Sequence, residues 1–198
     1  MATRFSSRNH VRTLVLLAVF TALVAALSYI RIPLLGTFSF TLTLPVIVIG
    51  GALCGVWGGL WLGTVFSVMV FVTGEAAGFL AINIPATIAV VMLKGMAAGF
   101  VATFVYHALK NKSQTLAAAC AAVTAPIVNT GIFVIGSFLF FFDDIKAAGL
   151  AKGFESGVTY LFSGMIGLNF FVELAIGVVL TPVIIRLIDL VKNKKFSR

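Results

Sequence analysis

The stretch Thr41–Gly74 runs for 34 residues without a charged side chain. In lipid, a backbone must satisfy its own hydrogen bonds, which confines such a run to helices. A bilayer core takes about 20 helical residues, so the run is too long for one span and short for two. Gly50, Gly51, Gly55, Gly58 and Gly59 offer a turn near its middle. The run therefore divides into two short helices, Leu42–Leu53 and Val56–Thr73. The composition supports a membrane setting: 61% of residues are hydrophobic and 10% charged, against about 25% charged in soluble domains.

The remaining apolar runs give four further spans. The first covers Thr13–Ile30, followed by a loop over Arg31–Phe40 that Pro33 and Gly36 interrupt. A second loop, Glu75–Ala81, precedes a helix opened by Asn83 and Pro85, a cap and a first-turn proline, which continues to about Lys110. Ser113 caps the next helix, which runs to Phe142 with Pro126 and Gly131 inside it. Asp143–Glu155 is a third loop, and the last helix runs from near Val158 to about Arg186. The expected fold is an all-α integral membrane protein, a single domain over residues 1–198 with six transmembrane helices, the second and third short.

Net charge is +8, but the basic residues sit at helix ends, not on one face as nucleic-acid binding requires. Arg4, Arg8, Arg12, Lys110, Lys112, Arg186 and the C-terminal Lys192, Lys194, Lys195 and Arg198 fall on one expected side. Arg31, Lys146 and Lys152 fall on the other. The positive-inside rule makes the first group cytoplasmic, together with both termini. The basic N-terminus before an apolar run resembles a signal peptide, yet the run is 18 residues long and no polar domain follows, so it reads as a retained span. Cys54 and Cys120 are the only cysteines and both lie in apolar segments, without metal-ligand spacing.

Two features stand out within the spans. Ala18, Ala22 and Ala26 recur every four residues and form a smooth strip, the kind of face on which helices approach closely in lipid. It suits docking of a partner and packing within this protein equally. Second, Lys94, Asn129, Asn169 and Glu173 are polar residues at membrane depth, where such groups are costly and mark function. Asn129 lies between Pro126 and Gly131, beside an expected break in the helix, an arrangement that lines transporter sites. Lys94 and Glu173 could instead pair with each other, Asn129 and Asn169 could bond helix to helix, and Asn83 could be only a cap.

Catalysis finds little support. His10 and His107 lie near helix ends, away from any buried serine, and no Gly-rich loop ending in Gly-Lys-Ser/Thr is present to bind ATP. An enzyme is not expected, nor any cofactor. A structural membrane subunit and a small channel are the competing classes.

The alanine strip and loop plan resemble the S components of energy-coupling factor (ECF) transporters, six-helix vitamin-binding proteins. Pro126-Ile-Val-Asn-Thr-Gly-Ile-Phe133 and Gly167-Leu-Asn-Phe-Phe-Val-Glu-Leu-Ala175 are similar to S components assigned to pantothenate. The resemblance implies a plasma-membrane, multi-pass subunit without ATPase activity, partnered by a transmembrane coupling subunit, two ATPase subunits, membrane lipids and a small vitamin. It implies docking through Ala18, Ala22 and Ala26, and a substrate site including Asn83, Lys94, Asn129, Thr130, Asn169 and Glu173. It also implies a pocket capped by the first and third loops and the loop before the fourth span. A lone buried lysine suits a monocarboxylate such as pantothenate or biotin. Riboflavin would need flat aromatic surfaces, for which the sequence offers Trp57 and Trp61 near the turn of the short helices. Tyr29 and Tyr160 are the polar aromatics suited to a lid. Hydroxymethylpyrimidine and folate remain alternatives.

Overall fold

Each long apolar run forms a helix in the computed structural model, which describes residues 2–30, 32–33, 39–40 and 42–193. The helices, in order, are α1 (Ala2–Tyr29), α2 (Thr43–Cys54), α3 (Val56–Val72), α4 (Ala77–Leu80), α5 (Ile84–Leu109), α6 (Gln114–Phe140), α7 (Phe142–Ala151), α8 (Gly157–Thr159) and α9 (Gly167–Asn193). Two strands of two residues, Ile32–Pro33 and Ser39–Phe40, pair antiparallel between α1 and α2. Arg31, Gly36 and the C-terminal Lys194, Lys195 and Arg198 lie outside the described residues.

Among the described residues, four helical segments are long and apolar enough to cross a membrane: His10–Tyr29, Ile84–Leu109, Gln114–Phe140 and Gly157–Val191. The two short helices expected from the uncharged run are present, with 12 and 17 residues. At 1.5 Å per residue these reach about 18 and 26 Å. The chain turns between them at Gly55, whose φ of 91° is open to glycine. Asn83 and Ser113 cap α5 and α6 as expected, their side chains accepting from the backbone N–H of Ala86 and Leu116.

Several boundaries differ from expectation. α1 begins at Ala2, because the polar residues before Thr13 continue the helix rather than break it. The Glu75–Ala81 loop contains the single turn α4. Most of the expected Asp143–Glu155 loop is α7, with Asp143 and Asp144 in its first turn, where acidic residues complement the helix dipole. The final span is interrupted: Tyr160–Ile166 is π-helical, and Gly167 follows with φ 38° before α9 resumes.

Close packing comes from small residues. On α3, Gly59 and Gly63 face Gly95 and Gly99 of α5, so that a methyl on Gly95 would lie 2.7 Å from the Gly63 carbonyl oxygen. This Gly-x-x-x-Gly seam brings backbone against backbone, as in lipid-embedded helix pairs. Ser67 crosses it and donates a hydrogen bond to the Val91 carbonyl at 2.9 Å. α6 presents Ala117, Ala118, Ala121, Ala122 and Ala125, all buried, and Gly177 of α9 packs on the Ala122 backbone. One apolar core joins Val24, Ile47, Leu62, Tyr106, Ile184 and Ile188. A second, smaller cluster joins Val90, Phe141, Ile145 and Leu161.

Candidate functional site

The second cluster borders a cavity of about 310 Å³, within the size range of small-molecule sites. Its walls come from most of the molecule. α3 contributes Val70, the connection after it Glu75 and Ala76, and α4 contributes Phe79. α5 adds Thr87, Val90, Val91 and Lys94; α6 adds Asn129, Thr130 and Phe133. Phe141, Met165 and Ile166 follow, and Asn169, Phe170 and Glu173 come from α9.

Of the six candidate substrate residues, the structure brings five into this one cavity: Lys94, Asn129, Thr130, Asn169 and Glu173. Asn83 is not among its lining residues. Its Oδ1 accepts the Ala86 N–H at 3.1 Å and its carbonyl accepts the Thr87 hydroxyl at 2.7 Å. Asn83 thus does a cap's work at the start of α5, where four N–H groups lack helical partners.

Lys94 is 9% exposed. Its Nζ lies 5.5 Å from the centroid of Phe133, a cation–π arrangement. Among the described residues no ion pair within 4.0 Å joins it to Glu173. The carboxylates that share its cavity are Glu75 and Glu173. The Oδ1 atoms of Asn129 and Asn169 are buried without a hydrogen-bond partner. Leaving a buried polar atom unpaired costs about 1–3 kcal/mol, so neither amide serves as helix-to-helix glue through its oxygen. Glycine at 131 is not used for close approach: a methyl there would meet nothing within 4 Å. α6 also runs unbroken past Pro126.

Three parts of the site escaped the sequence reading. Four phenylalanines, Phe79, Phe133, Phe141 and Phe170, line the cavity, and Phe79 packs edge-on against Phe133 and Phe141 at 5.6 and 5.0 Å. The expectation that flat aromatic surface is confined to Trp57 and Trp61 is therefore overturned. Those tryptophans are 76% and 51% exposed on α3. Glu75 falls in the predicted loop Glu75–Ala81, and Thr87 carries no signal of its own within the predicted helix. Glu75 had a signal, being one of six acidic residues in the chain. Among nineteen phenylalanines, no periodicity separates cavity wall from lipid face.

The proposed lid tyrosines lie elsewhere. Tyr29 is 62% exposed at the end of α1. Tyr160 packs against Phe154 at 5.0 Å and accepts a hydrogen bond from Lys152 at 2.7 Å. Neither lines the cavity. Of the loops expected to cap it, the one before α5 contributes Glu75, Ala76 and Phe79. The centre of the first loop lies outside the described residues.

Ala18, Ala22 and Ala26 are all exposed on α1. The opposite side of that helix holds the molecule: Val24 is in the core, and Thr21 accepts a hydrogen bond from Trp61 Nε1 at 3.0 Å.

No curated protein and no solved structure matches the chain significantly. The family of ECF transporter substrate-specific components matches residues 12–185, a span that takes in the alanine strip, the seam and every cavity residue. That family is defined by membrane subunits that select a small molecule and work with coupling and ATPase subunits, and the chain belongs to it: it is the substrate-specific component of an ECF transporter.

Proposed function

We propose that this subunit captures pantothenate outside the cell in the cavity around Lys94 and docks on the coupling subunit through Ala18, Ala22 and Ala26. The observation that carries the reading is the cavity itself. A buried cation without a direct partner on Glu173, beside two amides with unpaired oxygens, suits a ligand with one carboxylate and several hydrogen-bonding groups. The carboxylate pairs with Lys94, and Asn129, Asn169, Thr130 and Glu173 serve the hydroxyl and amide groups. The two stretches similar to pantothenate-type relatives carry Asn129, Thr130, Asn169 and Glu173.

Six spans, with both termini cytoplasmic, complete the proposal. The side chain of Arg12 donates to the Val191 carbonyl, so α1 at the edge of its apolar run lies beside the end of α9. Gln114 joins them there through Asp189 at 2.8 Å. Six crossings follow if α2 and α3 each cross, and the basic residues at that end suit the cytoplasm. The exposure of the alanine strip supports docking over internal packing.

A second reading draws on the phenylalanine wall, which favours a ring-bearing vitamin such as biotin or folate. Native mass spectrometry of the purified subunit, followed by titration calorimetry, separates the two. Retained pantothenate and saturable pantothenate binding are expected. Retention of a ring-bearing vitamin instead would replace the substrate, and retention of none, with no binding of any carboxylate vitamin, would overturn the reading.

A further inference from the structure

We infer that Phe133 is the positioning residue of this site: its ring face holds the Lys94 ammonium where an incoming carboxylate meets it. The inference rests on the carboxylate reading of the cavity and adds to it the group that orients the charge. Nζ of Lys94 lies 5.5 Å from the centroid of the Phe133 ring, and both side chains line the cavity. Among the described residues, Nζ has no carboxylate within 4.0 Å. The ring itself is fixed. Phe79 meets it T-shaped at 5.6 Å, with 86° between the planes, and Phe79 in turn meets Phe141 at 5.0 Å. The backbones set its height against the lysine. Gly136, one turn along α6 from Phe133, abuts Val90, one turn before Lys94 on α5. A methyl added at Gly136 would lie 2.5 Å from Cγ2 of Val90.

A lysine side chain is a compact charge on a flexible four-carbon stem, with three donors to place. Glu75 and Glu173 border the same cavity. A direct pair with either would engage those donors, and a ligand carboxylate would then have to displace it. A ring face attracts the ammonium through its quadrupole, most strongly where water is excluded. It offers no oxygen to the N–H groups, so those turned from the ring stay open to a ligand. Apparent affinity falls in proportion to the time a site spends outside its binding-competent arrangement. Phe133 therefore raises affinity for an anion by acting through Lys94, and its effect follows the charge on the ring face rather than the ring's bulk.

Fluorine substitution separates these two properties, because it drains the negative ring face while nearly keeping the shape. The test places mono-, di- and trifluorinated phenylalanine at position 133 of the purified full-length subunit and measures pantothenate binding by titration calorimetry. Kd should rise with each fluorine and reach roughly tenfold above the parent, the order that a desolvated cation–π contact is worth. The same series at Phe170 is the control. That ring lines the cavity from α9 with no cation over its face among the described residues, and it should show no stepwise rise. A flat series at Phe133, affinity that improves with fluorine, or the same rise at both positions overturns the proposal. In each of those cases pantothenate binding by the parent leaves the carboxylate reading in place. If the parent binds neither pantothenate nor biotin, that reading fails and the proposal falls with it.

Discussion

Lys94 occupies a position where an isolated positive charge is among the most expensive groups a membrane protein can hold. The face of Phe133, 5.5 Å from its Nζ, and the carboxylates of Glu75 and Glu173 in the same cavity partly offset that cost. Lys94→Met keeps the length and apolar bulk but deletes the charge. Removing one partner of a buried charge pair costs about 3–5 kcal/mol, so calorimetry should find pantothenate binding abolished while the protein still inserts and folds. A purely structural Lys94–Glu173 pair predicts something else: a destabilised single variant, rescued by adding Glu173→Gln. Asn129→Leu should weaken binding by about 1–3 kcal/mol, the cost of one unmade buried hydrogen bond; unchanged affinity would remove Asn129 from the site. At this scale the sequence was informative where chemistry is rare. One lysine among apolar residues is conspicuous, and so are two asparagines at mid-span. Phe79 and Phe170 were not, because a phenylalanine facing a cavity and one facing lipid have the same local pattern.

Among the elements, α5 carries the seam and the site together, since Lys94 is followed directly by Gly95. Gly63→Leu should force α3 away from α5, because even a methyl at Gly63 would overlap the Gly95 backbone. The expected result is a loss of thermal stability exceeding about 2 kcal/mol, within the range for overpacked interfaces, with reduced binding. Melting with and without pantothenate measures both. Ala22→Leu, on the exposed face of α1, should leave solitary binding intact and reduce co-purification with the coupling subunit; unimpaired assembly would deny the strip its docking role. The helices themselves were legible from uncharged length, capping residues and glycine breaks. Their pairing was not. Gly59, Gly63, Gly95 and Gly99 read in sequence as turn or flexibility signals, and only the facing backbones show that they are contact points. α7 reads as a loop in sequence because its charges outweigh its buried face of Ile145 and Gly149.

For the molecule as a whole, the contact of Arg12 with the Val191 carbonyl sets α1 beside the end of α9, which supports the proposed topology. Reporter tags at Met1 and Arg198 should both be protected in intact cells. An insertion at Gly153, where φ is 83° and a side chain would meet nothing within 4 Å, should be reachable from outside. That position is preferable to Gly149, which is packed against Tyr160. A tag found on the opposite side at either terminus would refute the six-span topology. The charge pattern is the sequence's own argument for this proposed arrangement, because the positive-inside rule acts on sequence directly. The cavity's shape had no such linear signature: its wall is assembled from residues as distant as Val70 and Glu173.

The α3–α5 seam also determines which part of the binding site can be altered without cost to the rest. Where two backbones touch, there is no slack for sliding, so Lys94 is a fixed datum. The facing wall begins at a π-helical turn and a glycine with φ 38°, which carry the spare length and freedom that the seam lacks. Changes to Met165, Ile166 or Phe170 can therefore recut the cavity for a bulkier or slimmer ligand while Lys94 stays in register. One jaw of the vice is bolted down, and the other is the one that adjusts.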